Sequence, residues 1–593
     1  MNRIPMLLAA ATLAACSGAV DHGQSTEAET ARLHQLFEQH FEDTLELNPL
    51  YATFIGDARY NDRFANSIGP EHRAEQLALE RRYLDAILDI DREALGDQDR
   101  LSRDMFVSAR ERSIAAREFP SHLIPMNQFY AMPSSFVQLG SGTGAQPFRT
   151  VQDYDNFLSR IDGFLDWMAQ AEVNFREGIE AGVVLPRILV ERTLPQLAAH
   201  VVADPETSLF WGPVARMPED ISSAERERLT DLYRTAIAEK LVPAYARLHD
   251  FLRDDYLPQA RATVGLDALP NGDAWYAFMV RNTTTTDLTP EEIHSIGLAE
   301  VERLHLEIEG VMERVGFEGT LHEFFRFTES DPQFFFDEGE QLIQGYRDLQ
   351  QDIDPNLPRL FEIFPKANYE VRAVEPFRER SAAGGSYMRP APDGSRPGIF
   401  YANTYDIKAR PIWAMESLSL HEASPGHHFQ LSIQQELEGL PRFRRFGGFT
   451  AYTEGWALYA ETLGTELGVY TDPYQYYGAL SAELWRAIRL VVDTGLHNYG
   501  WTRQQVLDYM NENSAAPEAR AVAETERYMA IPSQALSYKI GQLKISELRA
   551  RAERELGDRF DIRAFHTEVL KDGALPLDIL EAKIDRWIET QRS

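Results

Sequence analysis

A chain of 593 residues with 92 acidic and 59 basic side chains carries a net charge of −33, and 44 % of it is apolar. That apolar share is ample for a large core. The acidic excess argues against nucleic acid as a partner, because phosphate binding depends on clustered Lys and Arg, and it says nothing about the sign of charge inside a cleft.

The first element is a targeting segment. Residues 1–15 hold Arg3, an apolar run from Met6 to Ala11, and Leu13-Ala14-Ala15 directly before Cys16. The last four residues have the pattern of a lipobox. Cys16 is the only cysteine, so it has no intramolecular disulfide partner, and lipidation is the economical reading. The apolar run is shorter than the about 20 residues a spanning helix needs, so the expected protein is anchored by lipid and otherwise soluble. Ser17 in place of Asp resembles bacterial lipoproteins sent to the outer membrane, which implies its periplasmic face. Residues 16–30 are small and polar and read as a tether. Folding is expected from residue 31, where Leu33, Leu36, Phe37, Phe41 and Leu45 recur at helical spacing. No linker or repeat interrupts residues 31–593, so one large, two-lobed domain is expected.

Helical periodicity dominates that domain: 74–90, 153–181, 223–252, 290–315, 333–352 and 504–509 are the clearest helices, many acidic early and basic late. Strand signals appear at 385–389 and 398–403, separated by the turn-rich 390–395, and read as a β-hairpin. It precedes the run that carries the chemistry.

That run is His421-Glu422-Ala423-Ser424-Pro425-Gly426-His427-His428, with Glu454 following in Thr453-Glu454-Gly455-Trp456-Ala457. A hydrolytic zinc site needs two neutral imidazoles, one more protein ligand, an open position for water and a carboxylate to take the water's proton. In H-E-x-x-H the imidazoles lie at i and i+4. Here His427 follows His421 by six residues and His428 by seven. At about 100° per residue a regular helix would favour His428. Pro425 cannot donate to the carbonyl of residue 421 and Gly426 tolerates unusual dihedrals, so a two-residue bulge is expected, which would bring His427 to the i+4 place. His427 is the favoured ligand and His428 the alternative. Asp493 and His497 stand at i and i+4 and could pair on one helix face.

These residues, together with Glu-Gly-Trp-Ala-Leu-Tyr-Ala-Glu at 454–461, Asp-Thr-Gly-Leu-His at 493–497 and Gln-Ala-Leu-Ser-Tyr-Lys-Ile-Gly at 534–541, resemble the bacterial family of domain of unknown function 885. The resemblance runs from about residue 31 to the C-terminus. It implies kinship with gluzincin metallopeptidases, helical oligopeptidases and carboxypeptidases that take their third ligand from the next helix. It thereby implies Glu454 as that ligand, Glu422 as general base, Glu461 as a partner orienting a His, and Tyr538 as a donor to the oxyanion. Arg527, Tyr528 and Lys539 would contact a substrate carboxylate or carbonyl. In those peptidases an edge strand before the metal helix pairs with the substrate backbone, which places Tyr401 among the substrate-binding residues.

The expected protein is therefore a mainly α, two-lobed metallopeptidase-like fold with a deep cleft and a small β-hairpin or sheet beside the metal-binding helix. It binds Zn2+ through His421, His427 and Glu454 and cleaves peptides, as a carboxypeptidase or an oligopeptidase. A zinc hydrolase of other amides or esters fits the same residues. A catalytically silent, peptide-binding envelope lipoprotein is the remaining alternative, and the presence of Glu422 speaks against it.

Overall fold

The computed structural model describes residues 17–592 except 377, 378, 380, 381, 392, 393 and 395, so the targeting segment and Cys16 lie outside the described residues. The chain is 71 % helix and 3 % strand. The first helix, α1, runs Ser17–Leu47. The polar stretch read as a tether is thus continuous with it, because Glu27-Ala28-Glu29 are strong helix formers next to an amphipathic segment. Leu33 is the first buried side chain described.

Helices start where a side chain can accept from the free N–H groups of the first turn. α2 spans Pro70–Leu88, and α3 spans Val151–Ala181 behind a capping box of Thr150 and Asp153. The segment expected as one helix from 223 to 252 is α4, Ser223–Thr235, and α5, Val242–Phe251, joined by a wide π turn at Ala236–Leu241. Pro243, which has no N–H to donate, sits just past that turn. α6 covers Pro290–Val315 as expected, with Thr289 and Glu292 as its capping box. The segment from 333 to 352 is shorter than its periodicity suggests. Asp331 caps a single 3-10 turn at Pro332–Phe334, and α7 begins only at Gly339, where Gln341 reaches back to the Glu338 N–H at 2.9 Å, and runs to Ile353.

The small sheet has three strands in the order β1 (Tyr369–Ala373), β3 (Gly398–Ala402), β2 (Gly385–Met388). β2 and β3 form the expected antiparallel hairpin, with Gly385 opposite Ala402. β1 is an addition, parallel to β3 with Tyr369 opposite Gly398. It makes β3 the central strand. Tyr401 is consequently buried at 6 % exposure on a strand paired on both sides, and the edges of the sheet are β1 and β2.

After the sheet come α8 (Met415–Glu422), α9 (His427–Glu436), α10 (Thr450–Thr462), α11 (Pro473–Asn498), α12 (Arg503–Asn513), α13 (Glu518–Ala530) and α14 (Ser537–Leu556). α11 is buried on nearly every side from Leu484 to His497, as a helix apolar all round must be. Its Ile488 and Val492 join a core with Phe157, Phe164, Tyr245 and Ile308, while its Leu490 joins a second core with Trp275, Tyr452, Trp456 and Ile545. These are the two lobes, and α11 is shared between them. No helix among the described residues is long and apolar enough to cross a membrane.

α10 and α14 cross at backbone contact. A Cβ on Gly455 would lie 2.4 Å from the Gly541 Cα, and one on Gly541 would lie 1.9 Å from the Ala451 carbonyl oxygen. Gly541→Ala is therefore expected to lower stability by about 1–3 kcal/mol, the usual cost of forcing atoms into a packed interior. Gly310→Ala in α6, where a Cβ meets nothing within 4 Å, should raise it by about 0.5–1 kcal/mol. Thermal unfolding midpoints of the two variants check both signs.

Candidate metal centre

Two helix ends make this site. α8 stops at Glu422, the chain turns through Ala423 to Gly426 with Ser424-Pro425 in the cis form, and α9 begins at His427. The expected bulge is thus a complete break between two helices. Gly426 explains the tightness of the turn, since a Cβ there would stand 2.0 Å from the His421 carbonyl oxygen. The Trp456 indole donates to the Pro425 carbonyl at 2.8 Å and fastens the turn to α10.

His421 in the last turn of α8 and His427 in the first turn of α9 then face one carboxylate. The Glu454 Oε2 lies 3.7 Å from His421 Nε2 and 3.4 Å from His427 Nε2. One ligand atom from each of the three residues falls within 4.8 Å of the others. Ligands at about 2.0–2.1 Å from a tetrahedral zinc stand roughly 3.3–3.5 Å apart, so the three residues fit such an ion with little movement. α10 supplies a second carboxylate two turns on. Glu461 Oε1 accepts from His421 Nδ1 at 2.8 Å, and the Ser417 hydroxyl donates to Glu461 Oε2. This bond fixes the ring so that Nε2 is the atom turned to the metal position. His427 Nδ1 is buried without a partner among the described residues, so the ring is engaged only through Nε2, at Glu454.

His428 points elsewhere. Its Nδ1 lies 2.8 Å from the Tyr387 hydroxyl of β2, its ring centroid is 4.6 Å from that of Tyr369 of β1, and burial pushes its pKa down to about 4. It ties α9 to the sheet. In the absence of an ion, burial works to lower the pKa of His421, but bonding to Glu454 and Glu461 outweighs it and raises the value to about 9. Glu454 is shifted the opposite way: burial favours its neutral form, yet His427 and His421 hold it well below the usual carboxylate range.

Glu422 is buried at 8 % exposure beside His421, and its charge acts on both His421 and the Tyr346 hydroxyl. Tyr538 is half-buried in the first turn of α14. Its ring lies under the guanidinium of Arg489 at 4.7 Å, and its hydroxyl makes no hydrogen bond among the described residues. The other expected substrate contacts are committed. Lys539 spends its three N–H groups on Glu483 at 2.5 Å, Gln542 at 2.7 Å and Glu300 at 2.8 Å, in full burial. Arg527 is paired through two nitrogens with Glu524 and through a third with Gln534. The buried Tyr528 donates to Glu524 at 2.6 Å and accepts from Arg489 at 2.9 Å. Asp493 and His497 share a face of α11 without bonding each other. Asp493 accepts from Tyr276 at 2.6 Å and from the Ser533 N–H at 3.0 Å, and burial raises its pKa to about 7. His497 accepts from the Leu266 N–H at 3.1 Å and lies 3.0 Å from the Tyr528 carbonyl, neutral because burial lowers its pKa to about 3. Both are structural latches around α11.

Arg486 and Arg489, also on α11, were not anticipated. Arg486 Nη2 lies 3.7 Å from the same Glu461 oxygen that holds His421. Two arginines three residues apart inside a run as apolar as 484–492 are the signal that could have found them.

Residues 49–584 match the family described as a bacterial protein of unknown function, DUF885. The chain belongs to that family. A structure described as a candidate lipoprotein from Colwellia psychrerythraea is 28 % identical, with a TM-score of 0.85 over 95 % of this chain and 99 % of that one. A candidate lipoprotein of unknown function from Shewanella oneidensis is 17 % identical, with a TM-score of 0.71 over 93 % and 99 %. It shares the fold. A candidate oligoendopeptidase F from Bacillus anthracis strain Ames aligns over 87 % and 96 % at 12 % identity with a TM-score of 0.29, too low to carry an argument. No curated protein matches.

Because His421 holds a proton to about pH 9 when no ion is bound, loading a divalent cation at pH 7 should displace about one proton per chain. Calorimetry in buffers of different ionisation enthalpy reads that number directly. Glu461→Gln, which removes the charge and keeps the shape, should weaken cation binding about 10- to 100-fold. An unchanged affinity would show that Glu461 does not orient the ligand.

Proposed function

We propose that this family member is a zinc-dependent hydrolase of peptide bonds, held to the cell envelope by lipid on Cys16. The observation that carries the chemical half is the convergence of His421, His427 and Glu454 on one point, backed by Glu461. Bound there, zinc would supply Lewis acidity and a water ionising near pH 7. Hydrolysis adds the oxygen of a water molecule to the amide carbon, breaks the carbon–nitrogen bond and delivers a proton to the departing amine. Glu422, adjoining His421, takes the proton from the water and returns it to the amine. A silent binding protein would have no use for such a base. Tyr538 has an uncommitted hydroxyl on the helix that crosses Glu454's own, and it donates to the oxygen that gains charge as the carbonyl is attacked.

The anchoring half is supported by Leu13-Ala14-Ala15-Cys16 and by the two similar structures, each described as a candidate lipoprotein. Ser17 after the cysteine favours the periplasmic face of the outer membrane. Cys16→Ser should abolish incorporation of labelled palmitate, and equal label in both proteins would exclude the anchor.

Purified protein should carry about one zinc per chain, lost in His421→Ala and Glu454→Ala and largely kept in His428→Ala. Elemental analysis decides this. Glu422→Gln should keep the zinc while peptide hydrolysis falls about 10²- to 10⁴-fold, and Tyr538→Phe should lower kcat about 10- to 1000-fold. Hydrolysis by Glu422→Gln at the rate of the wild type would refute the mechanism.

A further inference from the structure

Beside the metal centre, and inside a protein of net charge −33, stands a cluster of four guanidinium groups: Arg486 and Arg489 on α11, Arg520 and Arg527 on α13. Their carboxylate partners are too few. Arg527 takes both oxygens of Glu524, at 2.9 Å each, and Arg489 Nη2 shares one of them at 3.1 Å. Glu461, 3.7 Å from Arg486, is already engaged by His421 and Ser417. Arg520 forms no ion pair among the described residues. It is exposed to solvent and lies over the Trp485 ring at 4.6 Å, with the like charges of Arg489 and Arg486 near it and Glu524 opposing them. Glu329 is the remaining acid in its range. Burial pushes that carboxyl up to about 7, and it comes within 4 Å of no cation among the described residues.

Two donors in the cluster are stranded. Arg486 Nε and Arg489 Nη1 are buried with no hydrogen-bond partner, and Arg489 as a whole is 9 % exposed. Leaving a buried charged donor unpaired is costly, and a cluster with excess positive charge more so. Such a cost is offset when an anion enters. The position of the cluster says which anion. Arg486 lies 3.7 Å from the carboxylate that orients His421, and the ring of Tyr538 lies 6.0 Å from Arg486 and 4.7 Å from Arg489, so with Tyr538 as the oxyanion donor proposed above, the stranded donors border the scissile carbonyl. Arg520 continues the row out to solvent.

We infer that Arg486, Arg489 and Arg520 receive the free α-carboxylate of a peptide's C-terminus, so that this chain cuts near C-termini rather than within polypeptides. The inference rests on the peptidase reading above and deepens it. Guanidinium forks match a carboxylate through paired N–H groups, whereas a chain continuing past the scissile bond brings only neutral amides to the same donors and leaves the charge uncompensated. The clamp binds and positions; the bond change remains the hydrolysis already described.

The test compares short N-acetylated peptides as free acids and as C-terminal amides on the zinc-loaded, full-length protein. The free acids should be cleaved with a kcat/KM roughly 10- to 100-fold above that of the amides. Arg520→Gln, a change at an exposed residue that holds no ion pair, should raise KM for the acids by about tenfold and lower the acid-to-amide ratio of kcat/KM by a similar factor. Arg489→Lys, which keeps the charge and loses the fork, should act in the same direction. Equal cleavage of acids and amides, or an acid-to-amide ratio unmoved by Arg520→Gln, overturns the clamp while leaving the peptidase standing. If neither form is cleaved, calorimetric binding separates the two ideas. Acid-selective binding that is lost in Arg520→Gln upholds the clamp and removes the peptidase, and binding without acid preference removes the clamp.

Discussion

Everything at the candidate metal centre depends on a helix that stops. Were 415–436 one regular helix, His421 and His427 would point about 120° apart, and no single carboxylate could reach both. The turn at Ala423–Gly426 lets the chain restart in a new direction, and it is held from two sides: by the missing Cβ of Gly426 against the His421 carbonyl and by the Trp456 indole on the Pro425 carbonyl. Trp456 is two residues from Glu454. The contact that holds the turn therefore also sets the distance between the imidazole pair and its third ligand.

α10 has to bring two carboxylates to the same imidazole while itself lying in the core. Glu454 and Glu461 are seven residues apart, about two turns, so both face α8. One meets His421 at Nε2 and the other at Nδ1. Desolvating three acids, Glu422 among them, around two imidazoles is unfavourable in itself, and a proton on His421 compensates part of the excess. A divalent cation compensates more than a proton can, and the polar donors cluster where it would go. The close crossing of α10 with α14, where Gly455 and Gly541 leave no side chain between the two backbones, lies about one turn along α14 from Tyr538.

The cluster of His421, His427 and Glu454 was legible in the sequence because it is local: a Glu after a His, a helix-breaking Pro-Gly, a second His and a Glu one helix later. So were helices with side-chain caps, such as 290–315, since the capping box and the first turn lie within a few residues of each other. What stayed hidden was long-range. β1 pairs with β3 across a long, turn-rich stretch, so nothing near 398–402 marked Tyr401 as central instead of peripheral. Tyr538 and Lys539 are neighbours in sequence and about 100° apart on α14; one turns to Arg489 and the other to Glu300 and Glu483, which come from helices far away in the chain. Periodicity shows that the two differ in direction, without showing which of them meets the acids.

The same separation between local and distant bears on charge. A net charge of −33 would seem to disfavour any anionic ligand, but the potential of exposed acids is screened over about 8 Å at physiological ionic strength. Inside that range the sign is set locally, and on the far side of Glu461 the groups are Arg486 and Arg489. At an effective dielectric constant of 20, a carboxylate about 4 Å from one guanidinium gains roughly 4 kcal/mol, more than screened surface repulsion can cancel. An acidic exterior and a basic receptor are thus compatible in one molecule. The exterior keeps the protein soluble, and α11, as the helix shared by both lobes, carries Arg486 and Arg489 where the metal-site carboxylate Glu461 can meet one of them.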